Sequence, residues 1–446
     1  YESFRLLQDM RQVALKKQPP APLPVAPIRS RNEPIRWRDE WSQLRTLLKR
    51  AFISKMRNQG NLRTTIVGAP ALAALIGTVL RYNGSGLYDF ASAYHIPTYL
   101  FLALIVAMFL GLTNSADDII RDRVVLQRER NLNIRLAYYI LAKTATLSIF
   151  AAVQCALFLL IGNAILEVRG MFWAYFLFTF ITACTGICLG LLISSLVADG
   201  KTAVNIVPLI LIPNIILGGA LIKYEDMNRN LDFQYSVQRW FSTHPESEKD
   251  PNESSLQVPL ICEFMPSRWA YEAMIVAQAK LNPLTSRQDR AQREIDTLVA
   301  AKDLTPAQEN RLADLKDTLA LLSGMEAVSP REVDKGLRRV DRVLNGAPLD
   351  THQLESKIGG VSAERLYVNQ KITDLVSKAE TEQADYRRVD STGHPVLVNV
   401  FFGPEKHLGK ARISVLAANT LVLFIFSFGA LLGLHESLRR QLRTKK

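Results

Sequence analysis

Apolar residues are gathered into six runs along this chain: 64–82, 96–115, 137–166, 171–197, 203–222 and 413–434. A helix needs about 20 mainly apolar residues to cross a hydrocarbon core of about 30 Å, so the pattern predicts six membrane-spanning helices. The third and fourth runs are longer than needed and are expected to tilt or protrude. In the fifth, Pro208 and Pro213 interrupt the run and Gly218-Gly219 end it. Proline frees backbone carbonyls, so that helix is expected to pack on neighbours or line a polar cavity.

The polar stretches carry their own periodicity. Over 116–136, Ile119, Ile120, Val124 and Leu126 recur at helical spacing among charges of both signs. Asp117 and Asp118 stand at the start, where the helix dipole favours acids. A short charged helix is expected over 117–130, suited to passing motion from a partner into the spans. Trp37, Trp41, Leu44, Leu47, Leu48, Phe52 and Ile53 lie among Arg and Lys over 37–59, which predicts an amphipathic helix along the membrane surface. Between the fifth and sixth runs, Thr305-Pro-Ala-Gln308 and Ser329-Pro-Arg-Glu332 read as capping boxes. Leu312, Leu315, Leu319 and Leu322 repeat as in a coiled-coil seam, which a helix over 287–302 can pair with. Further helices are expected over 330–344 and 362–386. The fold class is therefore an all-α membrane protein with a helical insertion between spans five and six.

Charge sets the expected topology. Of 446 residues, 54 are Lys or Arg and 42 Asp or Glu, giving +12. Fourteen basic and five acidic residues fall in 1–63, whereas 224–410 is net acidic. Positive residues flank the first span, the loop between spans two and three, and the end of span six; the opposite short loops hold only Arg81 and Arg169. That asymmetry places both termini in the cytoplasm. The positive charge serves topology, and no nucleic-acid partner is expected. The organisation reads as a Pro-rich cytoplasmic linker (1–36), an amphipathic connecting helix (37–60), spans one to five (61–223), an extracytoplasmic region (224–410) with an insertion over about 282–390, and span six with a basic tail (411–446). The chain starts with Tyr1, not Met, so it reads as the downstream piece of a longer polypeptide.

Enzyme chemistry finds no foothold. Cys184 and Cys188 share a helix face without a His or acid to join them, and the six His are scattered. The spans hold no Asp or Glu, whereas proton pumps and intramembrane proteases depend on buried ionisable groups. Ser195-Leu-Val-Ala-Asp-Gly200-Lys201-Thr202 is the nearest approach to a phosphate-binding loop, but it lacks the first Gly and follows a membrane helix rather than a strand. Gln154, Asn163, Asn205, Asn214 and Asn419 are the uncharged polar candidates within the spans. They either bridge helices or face a pathway.

Several motifs carry a resemblance. Asp122-Arg123, four residues, then Arg128-Glu129 resembles the Glu-Arg…Arg-Glu signature in the first intracellular loop of type-2 ATP-binding-cassette (ABC) exporters, the G-subfamily or White-type half-transporters. Tyr138-Tyr139 with Ala142-Lys143, Gly218-Gly219-Ala-Leu-Ile, and Pro266-Ser-Arg-Trp-Ala-Tyr271-Glu272-Ala are similar to further landmarks of that family, in order. Asp122 stands in place of the usual Glu, and Leu126 in place of an aromatic. The resemblance implies a multi-pass permease of the cell (inner) membrane, in contact with the lipid bilayer and working as a dimer, a homodimer in the simplest case. It implies an ATPase domain, fused upstream or separate, that would hold ATP and Mg; this chain itself is expected to hold no cofactor or metal. It makes Asp117, Asp118, Asp122, Arg123, Arg128 and Glu129 the coupling helix, and places the family's valve on Ala220 and Leu221. With Asn205, Asn214 and Asn419, these are the candidate substrate pathway. The implied cargo is apolar or amphiphilic, and the insertion is a candidate dock for a periplasmic or extracellular partner. The alternative is a scaffold or mechanotransmission protein that docks such a partner without transport.

Overall fold

The computed structural model describes residues 37–57, 59–82, 86, 88–129, 135–227, 258–301, 305–348, 360–385, 400–408 and 411–443. The linker over 1–36 lies outside them. The chain divides into two compact units, Tyr1–Thr46 and Leu47–Lys446. Of the first unit, the opening turns of helix α1 (Trp37–Arg57) are described, where Thr46 donates its hydroxyl to the Ser42 carbonyl and Trp41 is exposed.

The second unit is mostly helical. Its apolar helices are α2 (Gln59–Leu80), α3 (Ile96–Ser115), α5 (Leu136–Ile165), α6 (Phe172–Leu196), α7 (Gly200–Ile216) and α15 (Val415–Arg443), and the short charged helix α4 (Asp118–Glu129) follows α3. Four stretches among the described residues are long and apolar enough to cross a membrane: Ile96–Leu126, Leu136–Ile165, Phe172–Leu196 and Val415–Gln441. The first and fifth expected spans correspond to shorter apolar helices, Ile66–Leu80 and Gly200–Ile216. At 1.5 Å per residue, α7 is about 26 Å long, a little short of the hydrocarbon core. It runs through both prolines as one helix and stops at Ile216, because Gly219 takes a positive φ of 79° and Tyr224 turns back to donate its hydroxyl to the Leu217 carbonyl.

The central pair is α3 and α6, whose backbones approach closely at small residues. A Cβ built on Gly186 would lie 2.6 Å from the Met108 carbonyl oxygen, so only glycine lets the two helices meet there. Leu100, Leu104, Met108 and Leu112 of α3 and Ile187 and Leu191 of α6 are fully enclosed around this seam.

Helix α9 (Pro266–Leu281) lies inside a region the sequence assigned to the polar exterior, yet twelve of its sixteen residues are buried. It packs against α3, α6, α15 and α14 (Gln370–Asp385) and is an interior element of the bundle. The short helix α8 (Leu260–Glu263) precedes it. Cys262 on α8 is fully buried against the Met227 sulfur, and burial pushes its thiol up to about 11. An impermeant thiol reagent therefore has no access to it from either side.

The helices expected over 282–390 form in part. Helices α10 (Thr285–Val299) and α11 (Pro306–Ser323) form the hairpin, with Ala291, Ile295, Leu315 and Leu322 buried between them. Helix α12 (Pro330–Leu344) adds Val333, Leu337 and Val340 to that core. Strands β1 (Glu326–Ala327) and β2 (Val361–Ser362) pair antiparallel at its edge. At Thr305 the Gln308 side chain accepts the backbone N–H at 2.9 Å, whereas Ser329 makes no side-chain cap bond. The single helix expected over 362–386 is two, α13 (Ala363–Tyr367) and α14. Asn369 breaks it: its Oδ1 accepts the Ile372 N–H, and its Nδ2 donates to the carbonyls of Phe90 and Ala93 at 2.7 and 3.0 Å. That anchor carries α14 away from the insertion core and onto the main bundle, where Ile372, Val376 and Ala379 are buried. Strands β3 (Glu405–Leu408) and β4 (Ala411–Ser414) form a second antiparallel pair leading into α15.

Gly186→Ala should destabilise the detergent-solubilised protein by about 2 kcal/mol, the usual scale for overpacking a close contact. Thermal unfolding reads this directly, and an unchanged midpoint would contradict the tight α3–α6 seam.

Candidate functional site: a clamped helix and a buried charge hub

Two polar junctions stand out against the apolar bundle. The first holds α4. Its opening N–H groups, which no intrahelical carbonyl satisfies, find Ser194 of α6: the Ser194 hydroxyl accepts from Ile119 and Ile120 at 3.0 and 3.2 Å. Asp118 and Asp122, one turn apart on α4, both face Lys143 of α5, at 2.9 and 2.7 Å. Tyr139 donates its hydroxyl to Asp122 at 3.1 Å. Lys55 of α1 lies 3.9 Å from Asp118 and donates to the Asn114 carbonyl. Burial pushes the Lys55 ammonium below its ordinary value, with Asp118 opposing that shift. Arg123 reaches the other way. Its guanidinium donates to the Val197 carbonyl at 2.7 Å and approaches those of Ser194, Ser195 and Ala198 at 3.4–3.5 Å, placing a cation on the negative end of α6. α15 joins the same place, where Gln441 donates to the Ser195 carbonyl and Ser195 donates to Ser437. Helix α4 is thus clamped at once to the ends of α5 and α6.

The second junction lies at the opposite end of the bundle. Glu272 of α9 is fully buried, and both its oxygens are used. Oε1 accepts from the Lys406 ammonium at 2.6 Å and from the Phe402 N–H at 3.1 Å, and Oε2 accepts from Asn419 of α15 at 2.9 Å. Phe402 sits at φ 66°, a region that residues other than glycine seldom adopt; its bond to Glu272 helps to hold it there. Arg268, only 1 % exposed, pairs with Glu263 at 2.8 Å and stacks over Trp269. Burial works to raise the Glu272 carboxyl, but Lys406, Arg268 and the hydrogen bonds outweigh it and leave it below its ordinary value. Lys406 is pushed down by burial, with Glu272 opposing. One carboxylate thus ties α9, the loop before β3 and the start of α15 into a single piece.

Residues 42–238 match the family of ABC-2 type transporters. The match spans the clamped helix and the first five apolar runs. With the long apolar helices, it supports the permease part of an ABC transporter and marks the chain as a membrane protein. ABC-2 permease domains generally work with an ATPase partner. No curated protein sequence matches the chain.

The structure brings Asp118, Asp122 and Arg123 into the clamp. Asp117, just before α4, pairs instead with Arg121 of that helix. The side chains of Arg128 and Glu129 lie outside the described residues. Asn214 is buried: its own carbonyl accepts the Ser267 hydroxyl at 2.7 Å, and its side chain donates to the Ile210 carbonyl. Asn419 is buried on the Glu272 hub. Asn205 and Leu221 are exposed, and Ala220 packs at the edge of the core. Gln154 accepts from Asn114, and Asn163 accepts from the Tyr99 hydroxyl, so both bridge helices. The stretch that mimics a phosphate loop is spent on capping α7, where Asp199 accepts the Thr202 N–H at 3.0 Å. Sequence reasoning missed Ser194, Arg268 and Lys406. A Glu and an Arg four residues apart in the mainly apolar Pro266–Leu281 were the available signal for the hub.

Glu272→Gln should cost about 3–5 kcal/mol by leaving Lys406 buried without its counter-charge, and Glu272→Gln with Lys406→Met should recover most of that loss. Because the folded protein holds Glu272 below its unfolded value of about 4.3, the hub stabilises above that pH and weakens as pH falls through the lowered value. Unfolding of both variants in detergent at neutral and acid pH checks this. A Glu272→Gln protein as stable as the parent at neutral pH would contradict it.

Proposed function

We propose that this chain is the membrane permease of an ATP-driven ABC exporter, moving an apolar or amphiphilic substrate (lipid, glycolipid or drug-like) by alternating access. The clamp on α4 carries the reading. An element that passes a push from an ATPase to the spans must be stiffly joined to them, and α4 is joined to α5 by paired charges with little access to water and to α6 by hydrogen bonds from Arg123 and to Ser194. Such a transition needs contacts that differ between two states, and the ATPase face of α4 is where ATP would supply the difference. In this account α2 and α7 complete six spans with both termini cytoplasmic. The ATPase, fused upstream or separate, holds ATP and Mg. A second copy forms a homodimer in the inner membrane, of a kind most similar to G-subfamily half-transporters. Asn205, Ala220 and Leu221 are proposed to line the path, while Asn214 and Asn419 hold α9 in place. The helical insertion is the surface for an envelope partner.

The test is transport by the whole assembly in vesicles, with a fluorescent phospholipid analogue as probe. Lys143→Met should leave ATP hydrolysis within about two-fold of the parent and lower ATP-driven movement of the analogue about ten-fold or more, the signature of lost coupling. Equal transport by parent and variant would overturn the role of the clamp. A parent that hydrolyses ATP and moves no analogue would favour the non-transporting scaffold.

A further inference from the structure

Away from both junctions, an apolar furrow runs between α6 and α15, with a volume of about 460 Å³. Ala174 and Leu177 form one wall and Ala417, Thr420 and Leu421 the other, and Leu281 at the end of α9 also lines it. The furrow exists because Ala174 and Ala417 are small where neighbouring positions carry Leu and Phe. Thr420 is its one hydroxyl, and it is spent on the Leu416 carbonyl at 2.7 Å. Nothing polar is left to hold water there.

We infer that this furrow is a binding site for one acyl chain of a bilayer phospholipid. The inference rests on the reading of α6 and α15 as membrane spans. Three observations fix the occupant. The furrow continues into the exposed Leu421, Phe424 and Phe428 of α15, so it opens onto the surface that meets lipid. Its lining is hydrocarbon throughout, since among the lining residues only Thr420 carries a polar side-chain group and that hydroxyl is bonded within α15, so the furrow offers a partner nothing but apolar contact. Trp173, one residue before the wall and 77 % exposed, stands at the start of α6, where an indole suits the headgroup level above an inserted chain. Because Leu281 lines the furrow, a bound chain touches the end of α9, the helix that carries Glu272.

The full chain in nanodiscs containing a phospholipid with a diazirine on its acyl chain tests this, adducts being mapped by mass spectrometry after illumination. Adducts should concentrate on the furrow residues several-fold over the equally exposed Leu141 and Leu160 of α5. Ala417→Phe, which fills the furrow, should abolish that excess and leave the α5 adducts unchanged. The wild-type distribution needs no variant: adducts spread evenly over α5 and the furrow would overturn the site. Protection of the furrow from lipid together with dimers cross-linked through Leu421→Cys would assign the surface to a second copy and likewise overturn it. Displacement of the adducts by a transported amphiphile, but not by unlabelled phospholipid, would make it a substrate site and contradict the lipid assignment. A loss of transport in the coupling variant has no bearing on these adducts, so the two readings fail separately.

Discussion

A charge carried into an apolar bundle has to be met by an opposite charge or a full set of hydrogen bonds, because the penalty for leaving it bare exceeds what packing supplies. Lys143 shows the consequence. It enters α5 near the end of an otherwise apolar helix and is 12 % exposed, so two carboxylates must come to it. Asp118 and Asp122 do so, one turn apart, and in coming they bring the whole of α4 against α5. Arg123, on the same short helix, is drawn to the free carbonyls at the end of α6. The orientation of α4 follows from these few electrostatic demands, since its apolar residues alone are too few to fix it.

The same rule shapes the other end. Glu272 anchors α9 to a stretch more than a hundred residues further along the chain, where the loop before β3, β3 itself and the start of α15 each supply a donor the carboxylate requires. The result is asymmetric. The α4 end is clamped to α5, α6 and α15, and the α9 end to α15, while α7 buries only Ala203, Val207 and Asn214 along its helix. A bundle tied at both ends leaves most freedom to the apolar helices it buries least, which among the described residues are α7 and α2, the latter burying only Ala69, Ala73 and Gly77. This agrees with the proposal that α7 borders the substrate path.

How far the sequence foretold this depends on the range of the interactions. Helices set by local pattern were legible: the limits of α3, α5, α6 and α12 fall within a residue or so of the expected runs, and the α10–α11 hairpin follows from its leucine seam. What escaped was set at long range. Lys406 meets Glu272 across more than a hundred residues, and nothing in the spacing of either announces the other. Helix α9 looked like part of a polar exterior because it is too short to cross a membrane and carries Arg268, Glu272 and Lys280; burial of the first two depends on partners that only the fold supplies. Asn369 split an expected helix for the same reason, its partners lying in the loop before α3. The clamp was half legible. Asp118, Asp122 and Arg123 were singled out from pattern and resemblance, and Lys143 by resemblance alone, but Ser194 had no signal in an apolar run.

The central claim is that α4 moves with the bundle and does not hang from it as a loose connector. Hydrogen exchange on the intact chain measures this most directly. If the clamp holds, the amides of 119–126 exchange as slowly as those in the middle of α5, and Lys143→Met speeds exchange in α4 while leaving the middle of α5 unchanged. Amides of α4 that exchange in the parent at the rate of an isolated helix would contradict the account.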